Sequence, residues 1–247
     1  MIGQVEKYLL NRIEQNGAIH LTLLDPEKAS PEAAAKTAYE AEMEGTAAIM
    51  VGGSTATSTH QLEEVVKAIK KAVQIPVILF PNNITGICRH ADAIWFMSLL
   101  NSSDPYFIIG AHILGAPLVK KFGLEPIPLG YIIVGEGGAA SLIGRAFPIP
   151  FDKPELAVAH ALAAEYLGMH FVYLEGGSGV QKSVPPNMIR MVKKAVAVPL
   201  IVGGGIRTRD QVKEVLNAGA DLVVTGNITE EDANVKLKEL ISSVRRK

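Results

Sequence analysis

The sequence predicts one α/β domain, residues 1–247, folded as a (β/α)8 TIM barrel whose third helix is missing or replaced by extended chain. Three observations lead there. Apolar runs of strand length alternate with helical patterns eight times. Most of these runs are nearly continuous in apolar residues, as in parallel strands covered on both faces. The last three runs each end in a glycine turn, and barrel chemistry sits at the C-terminal ends of the strands.

The elements follow in order. A first helical stretch carries Glu6, Lys7, Arg12 and Glu14, so the N-terminus does not read as a secretory leader. The first predicted strand, 18–24, runs into Asp25. Ser30 before Pro31 reads as a helix cap with proline at the first helical position, and Gly45 as the stop. The second strand, 47–51, leads into Gly52-Gly53-Ser54, and Ser58 with Gln61 has capping-box spacing. The third and fourth strands, 77–80 and 91–96, are separated only by Pro81 to His90. About ten residues cannot comfortably hold a helix and two loops, hence the missing helix. The fifth strand, 128–134, precedes a Gly- and Pro-rich stretch, 135–151, on the catalytic rim, which reads as a lid or as a mobile loop. A helix over 152–167 stops at Gly168. The sixth strand, 171–174, is followed by a helix opened by Pro185-Pro186, and the seventh, 199–202, by a second capping box at Thr208 and Gln211. Gly219 ends that helix, the eighth strand covers 222–225, and a last helix runs from about Glu230 to Arg245.

Composition narrows the function classes. Apolar residues make up 48% and charged residues 20%, enough for a large core. A net charge of −1 without a basic block argues against nucleic acid as a partner. The terminal Arg245-Arg246-Lys247 reads as a solvated helix end. The single cysteine, Cys88, cannot form an internal disulfide, which suits a reducing cytoplasm, and it reads as a buried, inert residue. No apolar run reaches the ~18 residues of a membrane span, and no basic amphipathic helix suggests a stable anchor. A cytoplasmic protein with at most transient membrane contact is expected.

The glycine clusters are the strongest chemical signal. Glu175-Gly176-Gly177-Ser178-Gly179, Gly203-Gly204-Gly205 and Gly226-Asn227 end three successive strands. Glycine lets backbone amides approach an oxyanion closely, and helix N-termini add favourable dipoles. The loops after strands seven and eight commonly hold phosphate in these barrels. Tight turns alone are the plainer reading of any one cluster. Three neighbouring clusters point to a phosphorylated ligand, with Gly204, Gly205, Gly226 and Asn227 donating amides and Ser178 a hydroxyl. Asp25 has two readings: a cap for the turn that follows, or, with Ser54 on the adjacent strand, a ligand for a hard cation such as Mg2+. Lys28 either assists an anion or is simply solvated. Glu175, beside the phosphate turn, suits a base that takes a hydroxyl proton, with a structural ion pair as the alternative. The histidines show no zinc spacing, and no nucleophile elbow, dinucleotide fingerprint or Walker loop occurs. Gly110, Ala111, Gly115 and Ala116 put small residues on one side of the fourth helix, for close packing or for a long apolar substrate.

Taken together, Leu23-Leu24-Asp25-Pro26, Val51-Gly52-Gly53-Ser54, Met97-Ser98-Leu99-Leu100-Asn101-Ser102, Tyr173-Leu174-Glu175-Gly176-Gly177-Ser178-Gly179, Gly203-Gly204-Gly205-Ile206 and Thr225-Gly226-Asn227 resemble the geranylgeranylglyceryl phosphate synthase family of archaeal lipid synthesis. The resemblance spans nearly the whole chain. It implies Mg2+-dependent prenyl transfer, in which the 3-hydroxyl of sn-glycerol 1-phosphate attacks C1 of geranylgeranyl diphosphate and diphosphate leaves. It places metal at Asp25 and Ser54. It places glycerol phosphate at Tyr173, Leu174, Glu175, Gly176, Gly177, Ser178, Gly179, Gly204, Gly205, Gly226 and Asn227, with Glu175 as base. It also implies a barrel without its third helix, and a dimer or hexamer. Leu99, Leu100, Ile108, Ile109 and Leu114 are candidates for a prenyl groove or for ordinary core. Two other classes stay open: a barrel isomerase or lyase acting on a sugar phosphate, and a non-catalytic barrel that binds a phosphorylated metabolite.

Overall fold

A computed structural model describes residues 2–53, 58–226 and 233–244. Eight parallel strands close into a barrel in sequence order: β1 Ile19–Leu24, β2 Ala48–Val51, β3 Val77–Leu79, β4 Ala93–Leu99, β5 Glu125–Ile133, β6 Phe171–Glu175, β7 Leu200–Gly203 and β8 Leu222–Gly226, with β8 pairing back onto β1. Two of the predicted strand bounds move appreciably. β4 continues through Leu99 and β5 begins at Glu125, because these two strands pair along their whole length from Ala93↔Glu125 to Leu99↔Tyr131. Pro126 and Pro128, which look like breakers in the sequence, are accommodated at the start of this long strand.

The helix α1 (Gln4–Asn16) precedes the barrel. Its first amides, on Val5 and Glu6, donate to the Glu125 carboxylate at 2.8 Å. A charge at the start of β5 therefore caps a helix whose own Gly3 offers no side chain. Val5 and Leu9 of α1 join the barrel-interior cluster with Leu21, Trp95, Ile127, Phe171 and Leu222, closing the floor of the barrel. The helices α2 (Pro31–Glu44), α3 (Thr59–Ala72), α4 (Ala111–Phe122), α5 (Gly138–Ile143), α6 (Pro154–Tyr166), α7 (Pro186–Ala195), α8 (Arg209–Asn217) and α9 (Ala233–Val244) follow the strands. Ser30 caps α2 through the Ala33 amide, and Thr208 with Gln211 forms the reciprocal box on α8. Ser58 makes no such bond on α3; Gln61 instead reaches the Pro26 carbonyl at 2.7 Å and ties α3 to the loop after β1.

Between β3 and β4 there is a single 3-10 turn, Ile84–Gly86, and no covering helix. The wall of the barrel is therefore open to α4 on that side. The chain after β4 enters α4 through a π-helical turn, Tyr106–Gly110. Ser98 fixes that turn by donating to the Ile108 carbonyl at 2.7 Å. Such π-turns recur at functional sites. Cys88 is buried, as its apolar neighbours dictate.

Candidate active site

A cavity of about 620 Å³ opens at the C-terminal ends of the strands. Strand alternation decides which residues face it. Tyr173 and Glu175 are two positions apart in β6, so both point to the barrel interior. Tyr131 pairs in register with Tyr173, and Ile133 and Gly203 flank Glu175. The phenols of Tyr131 and Tyr173 therefore converge on the Glu175 carboxylate and hydrogen-bond to it. Glu175 also accepts the Gly177 amide at 2.6 Å. Beneath the carboxylate, Phe80, Tyr131 and Tyr173 pack ring to ring, with centroids 5.2–5.8 Å apart.

This setting fixes protonation. Burial pushes the Glu175 carboxyl above the usual carboxylate range, while the Gly177 amide and the two phenols pull it partly back. Burial, and then the nearby Glu175 charge, hold both phenols well above their ordinary range, so they stay protonated and donate. The result is a buried carboxyl of raised basicity, held in one orientation by three donors. That is the arrangement a general base requires.

Beside it, the turn after β7 is built for glycine alone. Gly204 and Gly205 have φ of 85° and 70°. A Cβ on Gly204 would lie 2.5 Å from Glu175 Oε1, and one on Gly205 would lie 2.5 Å from the Lys182 carbonyl. Backbone thus replaces side chain where the turns after β6 and β7 meet.

Across the mouth, Asp25 follows β1. Its Oδ1 accepts the Glu27 amide at 3.1 Å and its Oδ2 lies 3.3 Å from Lys28 Nζ. Lys28 is thus an ion-pair partner at the rim, not merely solvated. The Asp25 carboxylate packs against Gly53, so the ends of β1 and β2 do meet at this point. Among the described residues no cluster of three or more His, Cys, Asp or Glu side chains could cage a metal. One carboxylate at an open mouth instead fits Mg2+ shared with phosphate oxygens and waters.

Of the residues expected from the sequence, Asp25, Tyr173, Glu175, Gly177, Ser178, Gly179, Gly204, Gly205 and Gly226 line this one cavity. Leu174 does not; its side chain points outward into the core packed by Met188 and Ile189 of α7. Gly176 donates its amide to the Gly203 carbonyl at 2.9 Å and serves the strand ladder. Ser54 and Asn227 lie outside the described residues.

The cavity continues as an apolar groove where the third helix is absent. Residues from both faces of β4 line it, Ile94 and Phe96 on one face and Trp95, Met97 and Leu99 on the other. Ile84 and Ile87 of the short connection, and Ala111, His112 and Gly115 of α4, complete it. Ala111 and Gly115 are among the small residues that the sequence offered for close packing or for a long apolar substrate, and the larger residues read as groove or core divide. Leu99 lines the groove, but Leu100 packs on the outer core, and Ile109 and Leu114 are 54% and 55% exposed. On α4 it is Ala111, His112 and Gly115 that face the groove, while Ile113, Leu114 and Ala116 are exposed. His112 stacks edge-on against Phe96 with centroids 4.6 Å apart, and burial holds its imidazole below the usual value and hence neutral. Ala139, Ala140 and Ile143 of α5, inside the stretch read as a lid or as a mobile loop, cover the other side.

A family model described as the PcrB family matches residues 11–244. The chain belongs to the PcrB family. Its similarity extends to individual members. It is 57% identical over 236 residues to the geranylgeranylglyceryl phosphate synthase of Thermofilum pendens, covering 96% of this chain and 92% of that one. It is 52% identical over 246 residues to the protein of that name from Pyrococcus abyssi, covering 99% and 98%. Among solved structures it superposes with a TM-score of 0.93 on (S)-3-O-geranylgeranylglyceryl phosphate synthase from Thermoplasma acidophilum in complex with its substrate sn-glycerol-1-phosphate, at 39% identity and 99% coverage of both chains. The family resemblance and the modified barrel read from the sequence therefore hold.

Three features escaped the sequence reading. Tyr131 sat unremarked inside an apolar run, although its register position beside Tyr173 would have marked it. Phe80 and Arg207 both line the cavity and were likewise not singled out.

Proposed function

We propose that this protein is a prenyltransferase that joins the 3-hydroxyl of sn-glycerol 1-phosphate to C1 of geranylgeranyl diphosphate. The C–O ether bond forms, the allylic C–O bond to diphosphate breaks, and the hydroxyl proton passes to Glu175. The observation that carries this reading is the shape of the cavity. A buried carboxylate beside a glycine turn opens directly into an apolar groove. A sugar-phosphate isomerase would need the first half of that arrangement but has no use for the second.

The acceptor phosphate is assigned to the turns after β6, β7 and β8, through Gly177, Ser178, Gly179, Gly204, Gly205, Gly226 and Asn227. With the phosphate there, the glycerol hydroxyl is directed at Glu175. The prenyl tail is assigned to the groove between β4 and α4, which excludes water from the allylic carbon. Holding the two reactants in this order supplies much of the rate by orientation. Asp25, with Ser54, is assigned to hold Mg2+, which when bound offsets negative charge growing on the diphosphate leaving group.

We also infer that the chain works as a homo-oligomer, because Ile109 of the π-turn and Ile113 and Leu118 of α4 are apolar and exposed. Among the described residues no helix is long and apolar enough to cross a membrane; we infer a cytoplasmic enzyme that meets lipid only transiently. Transfer assays across a Mg2+ titration test the metal assignment. Asp25→Asn should shift the Mg2+ requirement upward and weaken prenyl diphosphate binding, while leaving glycerol 1-phosphate affinity unchanged. An unaltered Mg2+ titration would remove Asp25 from the site.

A further inference from the structure

Arg207 lies two residues after the glycine turn of β7 and lines the cavity beside Ser178, Gly179 and Gly205. Its Nη2 donates to the Gly179 carbonyl at 2.9 Å, linking two loops that are 28 residues apart in sequence. Its own amide donates to Gln211 Oε1 at 2.7 Å, the same oxygen that completes the capping box of α8. The arginine backbone is thus anchored to a helix start, while its side chain reaches across to the neighbouring loop. A guanidinium carries five N–H donors, and the bond to Gly179 engages one of them.

Charge makes this contact more than a tether. The turns it joins are glycines and a serine next to Glu175, whose negative charge opposes an anionic ligand. Among the described residues lining the cavity, the other cations are Lys28, which is ion-paired with Asp25 on the opposite rim, and Lys236 on α9. We propose that Arg207 latches the loop after β6 onto the turn after β7 and supplies the fixed positive charge of the phosphate pocket, so that it is a binding residue for the phosphate monoester of the acceptor. This inference rests on the acceptor assignment made above for the same turns.

The test is calorimetric titration of full-length wild type, Arg207→Ala and Arg207→Lys with sn-glycerol 1-phosphate, with inorganic phosphate and with a prenyl diphosphate. Loss of a charge-assisted bond should weaken glycerol 1-phosphate binding about 10- to 100-fold in Arg207→Ala. Arg207→Lys should recover part of the loss, since lysine restores the charge but not the fork. Prenyl diphosphate affinity should stay within about twofold, and amide exchange of residues 176–183 should quicken in Arg207→Ala alone. Binding of glycerol 1-phosphate within about twofold of wild type in Arg207→Ala would overturn the proposal, as would an equal loss for both substrates. If wild type bound inorganic phosphate through Arg207 but not glycerol 1-phosphate, the acceptor assignment would fall and the latch would stand.

Discussion

Replacing Glu175 by glutamine separates chemistry from stability in this barrel. The carboxylate is 7% exposed and its pKa is raised because burial disfavours its charge. Glutamine keeps the volume and an acceptor oxygen for the Gly177 amide, but it cannot take a proton. Loss of a general base lowers turnover about 10²- to 10⁴-fold, which is about 2.7–5.4 kcal/mol of barrel-imposed barrier lowering at about 1.36 kcal/mol per decade. The fold should not suffer. A neutral amide removes the desolvation cost of a buried charge and leaves the Phe80–Tyr131–Tyr173 packing intact. Steady-state transfer kinetics and a thermal melt on the same preparation read both quantities. The expected pair is a kcat lowered by two decades or more and a Tm equal to or above wild type. A near wild-type kcat would remove Glu175 from the mechanism. A collapsed Tm would show that the carboxylate is structural and that the activity loss carries no mechanistic weight.

Three further outcomes follow from the same geometry. Tyr131→Phe removes a donor that lowers the Glu175 pKa, so the acid limb of kcat/KM should move to higher pH; a pH–rate profile checks this, and an unmoved limb would contradict the hydrogen bond. Gly115→Leu projects a side chain from α4 into the groove where even a Cβ approaches Ile87 Cδ1 to 2.9 Å, so in a donor ladder the preferred chain should shorten while the glycerol 1-phosphate KM holds. His20 is buried and bonded to Thr46 at 2.9 Å and Thr225 at 2.8 Å, and burial depresses its pKa to about 3. The unfolded chain therefore binds the extra proton between that value and the ordinary ~6.5, so stability should be full above that window and fall with decreasing pH through it, by up to ~1.4 kcal/mol per unit. Urea unfolding across pH 4–7 should show this slope, reduced in His20→Gln.

What the sequence disclosed, and what it hid, follows from the range of the interactions involved. The missing third helix was legible because Pro81 to His90 is too short for anything else, and the structure has only a 3-10 turn there. Glu175 and its glycines were legible because a polar residue ending an apolar run stands out. Tyr131 was not, because its role comes from pairing with Tyr173 across two strands, and a tyrosine among apolar residues looks like core. The groove was legible in part: Ala111 and Gly115 stood out as small residues that leave room for an apolar chain, and both line it, while the groove-or-core reading of the larger residues was left open. Which of the larger residues join it depends on how α4 is set against β4, which the sequence does not show: Leu99 lines the groove, and Ile109 and Leu114 are exposed. Arg207 escaped because its partner, Gly179, is a backbone carbonyl on another loop.

The central claim is that one cavity joins a phosphorylated glycerol to a prenyl chain through an ether. The most direct measurement is transfer of radiolabel from sn-glycerol 1-phosphate into organic-extractable product, with purified protein, Mg2+, a ladder of prenyl diphosphates and an EDTA control. The account predicts label in an acid-stable prenyl ether, greatest with the twenty-carbon donor and abolished by EDTA. No transfer with any donor, while glycerol 1-phosphate still binds, would keep the phosphate pocket and contradict the prenyl half of the account.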